Sequence, residues 1–260
     1  MPDRGPITHK LARCRRVAVG RGRAGATVQS GLSRDAPRAF IRAMIGTMPL
    51  DPSDLQRISA ATLDHYDRSA ETFRERTREH DVQQNIDALL CHLDGPGPFE
   101  ILDFGCGPGR DLRTFTRLGH HATGLEGSPK LAAMAREDSG CPVLAQDFLA
   151  LALPPARFHG VFANASLFHV PAQELPRVLG QLFDTLQPGG VLFSSNPRGS
   201  GEEGWRGERY GAFHDLAAWR TYMTAAGFVE LAYYFRPAGL PREQQPWLES
   251  VWRKPRRAAA

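Results

Sequence analysis

The stretch FEILDFGCGPGRDLRTFTRLGHHATGLE, Phe99 to Glu126, decides the fold. A short apolar segment (Phe99, Ile101, Leu102) ends in Asp103, and glycines then fall at every second position, Gly105, Gly107 and Gly109. A helix-patterned segment follows, and a second apolar segment ends in an acid, Glu126. Strand, glycine loop, helix, strand and acid is the layout of a nucleoside-binding crevice in an open parallel sheet. Glycines suit the loop because tight turns need positive φ and because a side chain would hold a ligand off the backbone. An acid at the tip of the second strand can accept two hydrogen bonds from a ribose diol.

The spacing selects among nucleosides. A dinucleotide fingerprint reads G-x-G-x-x-G, whereas here the run is D-F-G-C-G-P-G, with Arg110 where the last glycine would stand. With Asp103 before it and Glu126 23 residues later, the run resembles motif I of the class I S-adenosylmethionine methyltransferases. Further landmarks follow in that family's order. Asp147-Phe148 comes after a third apolar segment, Val143 to Ala145, and Gln187-Pro188-Gly189-Gly190 precedes Val191-Leu192-Phe193, like the family's turn into its fifth strand. The resemblance spans Ser53 to Pro255 and is nearest the small-molecule group that includes ubiquinone-biosynthesis and tellurite-resistance methyltransferases.

The resemblance implies an α/β, Rossmann-like fold: a seven-stranded, mostly parallel sheet ordered 3-2-1-4-5-7-6, strand 7 antiparallel, with helices on both faces. The residues agree. Two leading helices are expected between Asp54 and Leu93, and strands near 99–103, 121–125, 142–145, 160–163 and 190–195. Leu175, Val178, Leu179, Leu182, Phe183 and Leu186 form one continuous helical stripe, with glycine beyond it as the expected stop. A helix over Asp215–Ala226 and two aromatic-rich strands, Phe228–Arg236 and Trp247–Arg253, complete the chain, while 147–159 is too short and proline-broken for a full helix.

Charge divides the chain in two. Residues 1–47 carry ten basic residues against Asp3 and Asp35, whereas 48–260 holds 22 basic and 26 acidic residues, a net charge of −4. The basic extension lacks periodicity and is expected to be disordered. It reads as an over-extended start (Met44 and Met48 lie just before the recognisable domain), a transit peptide or a nucleic-acid arm. Residues 48–260 form the expected methyltransferase domain. Its acidity argues against nucleic acid as a partner, and no apolar run is long enough for a membrane span. The four cysteines, Cys14, Cys91, Cys106 and Cys141, have no ligand spacing, so no metal is expected and a cytoplasmic setting is. Cys106, inside the glycine loop, reads as a small filler rather than a nucleophile.

The implied cofactor is S-adenosyl-L-methionine, with Asp103, Gly105, Gly107, Gly109, Glu126, Asp147, Phe148 and Asn164 as its candidate contacts. Asp147 would face the adenine amino group, and Tyr66, on a leading helix, would close over the cofactor or simply pack. Catalytic candidates come from segments after the fourth and fifth strands, because ligands lie outside the carboxyl ends of the strands. His169 is a candidate general base, although a histidine here is also a common feature of the family. The stretch from Gly199 to His214 reads as a polar, glycine-marked loop over the substrate, carrying Arg209 and Tyr210 as catalytic candidates. Arg198, Arg206 or Arg209 could hold an anion, or pair with Glu202, Glu203 and Glu208 on a solvated surface. The expected activity is methyl transfer to a small polar or amphipathic metabolite. An RNA or protein methyltransferase and a non-catalytic cofactor-binding protein are the alternatives. The acceptor atom (O, N, S or C) and the oligomeric state stay open at this point.

Overall fold

The computed structural model describes residues 49–256, so the expectations for the basic extension lie outside the described residues. Three helices lead: α1 (Pro52–Arg68), α2 (Ala70–Thr77) and α3 (Gln83–His92). Then come β1 (Glu100–Phe104), α4 (Arg110–Arg117), β2 (His121–Glu126), α5 (Pro129–Ser139), β3 (Val143–Ala145) and β4 (Phe158–Asn164). A short 3₁₀ turn (Leu167–His169), α6 (Leu175–Thr185) and β5 (Leu186–Pro197) follow. The chain closes with β6 (Glu202–Arg206), β7 (Arg209–Phe213), α7 (Leu216–Ala225), β8 (Val229–Arg236) and β9 (Trp247–Arg253).

Seven strands form one sheet in the order β3-β2-β1-β4-β5-β9-β8, with β9 antiparallel to both neighbours. Because β6 and β7 make a separate two-stranded sheet, β8 and β9 are the sixth and seventh strands of the main one. The expected order and the reversed last strand are therefore present. Alternation along each strand sends side chains to two cores. Leu102, Val161, Leu192 and Trp252 pack under α6 and α7, whereas Ile101, Phe162, Phe193 and Val251 pack under α3 and α4. Phe162 and Phe193 stack across the adjacent strands at 5.1 Å.

Three expectations are corrected. The leading region breaks once more than expected, at Ser69, whose hydroxyl donates to the His65 carbonyl at 2.7 Å and ends α1. The apolar stripe through Leu186 leaves the helix at Thr185. Gln187 precedes Pro188, which disfavours helical backbone, so Leu186 turns extended and pairs with Phe158 of β4. The Gly199–His214 segment is no open loop but a β-hairpin, because Gly207 takes φ +63 at its two-residue turn.

The N-terminal end of α4 rests on Gly109, at φ +91, whose hydrogen faces the backbone of α5. A Cβ there would lie 2.9 Å from Ala135 Cα. Gly109→Ala is therefore expected to destabilise the chain by about 2 kcal/mol or more in urea denaturation. At the other boundary, Leu50 exchanges two hydrogen bonds with the Gln173 carboxamide (2.8 and 3.0 Å). A chain shortened to begin at Met48 keeps that anchor and is expected to melt within a few degrees of the full chain. A large fall in melting temperature would give residues 1–47 a structural role.

Candidate functional site

Register brings the chemistry-bearing residues to the carboxyl ends of the parallel strands. Asp103 pairs with Gly124, and the loop after β1 hangs from β2 through the Leu125 carbonyl, which accepts from Gly105 N–H (2.9 Å) and Cys106 N–H (3.1 Å). One strand over, Glu126 turns its carboxylate back under the loop. Its two oxygens accept from Gly107 N–H (3.0 Å) and Ser128 N–H (2.9 Å), at the start of α5. Burial raises its proton affinity, and the backbone donors at Ser128, Gly107 and Gly127 work against that rise.

Above this carboxylate lies a solvent-open cavity, in which the centre of a water-sized sphere can move through about 80 Å³. Its floor is Gly105, Gly107, Glu126 and Gly127, one wall is Asp147, Phe148 and Leu149, and another is Ala165, Ser166 and His169. Helix α1 roofs it with Ile58, Ser59, Thr62, Leu63 and Tyr66. Ser59 Oγ donates to Asp147 Oδ2, while Leu149 N–H donates to Asp147 Oδ1 at 2.8 Å. Phe148 stacks on Phe104 at 4.2 Å. The Ser166 hydroxyl is buried against the cavity with no hydrogen-bond partner.

On the side formed by α1, the 3₁₀ turn and the hairpin, three side chains join in series. Arg209 Nη1 donates to Tyr66 Oη (3.1 Å), Tyr66 Oη lies 2.8 Å from His169 Nε2, and His169 Nδ1 lies 2.8 Å from the Tyr210 carbonyl. A carbonyl only accepts, so Nδ1 carries the proton and Nε2 accepts from the phenol. Burial lowers the His169 pKa to about 4, with Arg209 and His65 adding to the effect, so the ring is neutral near pH 7. Burial raises the Tyr66 phenol in turn.

The structure gathers most of the sequence-derived residues, with four revisions. Asp103 is buried on the α4 side, its Oδ2 unpartnered and its carboxyl pushed well up by burial and then by Asp111; it does not line the cavity. Gly109 serves the packing of α4 on α5 instead. Asn164 points to the α3 side, where its Oδ1 accepts from Asn85 Nδ2 at 2.9 Å. Tyr210 contributes its carbonyl, because strand alternation sends its ring away from Arg209, edge-on to Trp205 at 5.6 Å. Ser59, Thr62, Leu63, Phe73 and Ser166 were not anticipated. Only Ser166 had a signal in the sequence, its place just after the fourth strand.

Residues 101–190 match the family model described as a methyltransferase domain. The chain is 29% identical over 144 residues to the malonyl-[acyl-carrier protein] O-methyltransferase of Enterobacter lignolyticus, covering 55% of this chain and 54% of that protein. It is 26% identical over 148 residues to the 18S rRNA (guanine-N(7))-methyltransferase of Schizosaccharomyces pombe, covering 52% and 55%. The chain thus spans about half the length of the curated relatives it matches. In fold it resembles the 1,6-didemethyltoxoflavin-N1-methyltransferase of Burkholderia thailandensis, solved with S-adenosylhomocysteine. That likeness has a TM-score of 0.66 and 22% identity, over 80% of this chain and 93% of that one.

The neutral His169 ring makes stability depend on pH. Unfolded histidine takes up a proton below about 6.5, whereas the folded ring does so only near 4, so stability falls as the pH drops through that window. His214, also lowered by burial, acts in the same sense, and Glu249, raised to about 7 by burial, acts in the opposite one. Both cancel in a comparison with His169→Gln. The wild type is expected to lose up to about 3 kcal/mol more than this variant between pH 7 and pH 4. Parallel pH profiles of the two melting temperatures would refute the assignment.

Proposed function

We propose that this chain, which carries a class I S-adenosylmethionine-dependent methyltransferase domain, transfers a methyl group to a small polar or amphipathic acceptor. The observation that carries the reading is the buried Glu126 carboxylate, fixed by Gly107 and Ser128 N–H beneath a roofed cavity. When bound, the cofactor supplies a methyl carbon made electrophilic by its sulfonium, and the leaving group is a neutral thioether. The chain's task is then positioning more than proton transfer.

Gly107 and Ser128 N–H each take one lone pair of a different Glu126 oxygen, and with Gly127 N–H also directed at the carboxylate a site is left for a ribose hydroxyl. Asp147 would face the adenine amino group, with Phe148 as an apolar wall. The unpartnered Ser166 hydroxyl is a polar atom that a ligand would satisfy. His169, Tyr66 and Arg209 form the acceptor side, where Arg209 and His169 orient the Tyr66 hydroxyl.

A small acceptor is favoured by relatives named for malonyl-[acyl-carrier protein] and for a 24-methylenesterol. An RNA acceptor is the second reading, motivated by the rRNA methyltransferase relative. The net charge of −4 over 48–260 counts against it, since RNA binding leans on phosphate neutralisation. A cytoplasmic setting belongs to the same proposal: Cys91, Cys106 and Cys141 are free thiols, and no helix among the described residues is long and apolar enough to cross a membrane.

Calorimetry with S-adenosylhomocysteine tests the cofactor half. Glu126→Ala is expected to cost about 1–3 kcal/mol of binding by leaving ribose hydroxyls unpaired, and undiminished affinity would overturn the assignment. Tritium transfer from labelled cofactor into a metabolite extract tests the acceptor half. Arg209→Ala is expected to lower kcat/KM about tenfold or more, roughly 1.4 kcal/mol, with S-adenosylhomocysteine affinity retained. Label appearing only in RNA would favour the second reading. Cofactor binding with no labelled product from any extract would leave a non-catalytic binder.

A further inference from the structure

The segment that carries Ser166 and His169 begins with a backbone anomaly. Ala165, the first residue after β4, has φ +59, a left-handed conformation that a residue with a Cβ adopts only when its surroundings force it. Ser166 follows, buried and unpartnered against the cavity, and His169 N–H then bonds to the Ser166 carbonyl at 3.0 Å. The orientation of both side chains therefore depends on whatever holds Ala165.

Two buried groups grip this turn from outside the cavity. On one side, Asn85 of α3, 1% exposed, donates from Nδ2 to Asn164 Oδ1 at 2.9 Å. Its own Oδ1 accepts from Tyr234 Oη (2.9 Å) and Arg236 Nη1 (3.2 Å). Two donors at one end of the carboxamide fix that end as the oxygen, so the NH₂ must face Asn164. On the other side, Ala165 N–H donates to the Ser195 carbonyl at 2.9 Å. The Ser195 hydroxyl is in turn bonded to Glu249 Oε1 at 3.2 Å, in the register where Ser195 opposes Glu249.

Neither Asn85 nor Glu249 lines the cavity. Resting on the methyltransferase reading above, we propose that Asn85 is a positioning residue for the reaction. Through Asn164, and against the Ser195–Glu249 pair, it clamps Ala165 in its left-handed turn and so aims Ser166 and His169 into the cavity. A network serving only its own hydrogen bonds would make the same contacts and leave the turn indifferent to them. The strained residue provides the distinction, because glycine adopts φ +59 freely.

A cycle of Asn85→Ala, Ala165→Gly and the double variant separates these in thermal melts. With the clamp intact, Ala165→Gly is expected to raise the melting temperature by about 2–4 °C by relieving strain. Without Asn85 the turn relaxes, and the same substitution is expected to gain nothing or to lose stability through added chain entropy. Tyr234→Phe, which leaves Arg236 on Asn85, supplies a milder arm of the same sign should Asn85→Ala fail to fold. In the transfer assay, Asn85→Ala is expected to lower kcat about tenfold, with S-adenosylhomocysteine affinity within threefold of wild type, because Glu126 and Asp147 are untouched. Additive melting temperatures, or coupling with kcat unchanged, would overturn the proposal. The melting cycle reads the clamp without any turnover, so a wild type that transfers no label would count against the methyltransferase reading alone.

Discussion

A carboxylate taken out of water costs several kcal/mol unless hydrogen bonds replace its hydration. At Glu126 the replacement donors are backbone N–H groups from two different loops, Gly107 after β1 and Ser128 at the start of α5. The carboxylate thereby fixes the glycine loop relative to the next helix, and Ser128 in turn caps α5 through its hydroxyl. It also binds the roof indirectly. Ser128 Oγ and Lys130 N–H both reach Asp67 of α1, at 3.0 and 2.9 Å. Removing the charge would loosen floor, cap and roof together.

That roof is held mostly by polar contacts. Helix α1 buries only Ile58 and Thr62 in full, and it meets the rest of the molecule through Ser59 on Asp147, Thr62 on Tyr210 N–H, Tyr66 on His169 and Asp67 on α5. His65 and Arg68 add contacts to Glu208 at the tip of the hairpin, 2.9 and 3.2 Å, on the exposed side, where such pairs contribute little. Each polar contact contributes modestly after exchange with water. An element fastened this way can separate from the cavity at far lower cost than a core helix such as α6, whose apolar stripe is sealed under the sheet.

The elements of the sheet were legible in the sequence because their information is local, whereas their order and the reversed last strand came from the family resemblance. Periodicity placed α6 and α7, and the glycine run with its two acids placed β1, β2 and the turn between them. Much of the site was legible because it too is local: Gly105, Gly107, Glu126, Asp147 and Phe148 lie within a few residues of strand ends. Tyr66, His169 and Arg209 were named one by one, and what was missed is that they meet across long separations. Tyr66 and His169 are 103 residues apart, Arg209 and Tyr66 143, and neither spacing leaves a periodic trace. The hairpin read as a loop because its strands are rich in charge and glycine, and its pairing is revealed only by facing partners such as Trp205 and Tyr210. Asn164 was assigned by its place at a strand end, but the pleat decides its face, and the pleat turns it toward Asn85.

The series Arg209–Tyr66–His169–Tyr210 bears on how a methyl acceptor would lose its proton. All three hydrogen bonds run in one direction, from guanidinium to phenol, phenol to imidazole and imidazole to carbonyl. The His169 lone pair is therefore already engaged, and the ring is held by burial at a pKa near 4. A proton delivered to the phenol oxygen could pass to Nε2 only by creating an imidazolium about three pH units out of balance with neutral solution. An efficient general base is instead poised near the working pH. Within the proposed methyl-transfer reading, His169 would orient Tyr66, an arrangement that would suit an acceptor arriving already deprotonated or with no proton to lose. The same low proton affinity keeps a second positive charge away from Arg209, so the site can present one cation, one hydroxyl and a neutral ring without mutual repulsion.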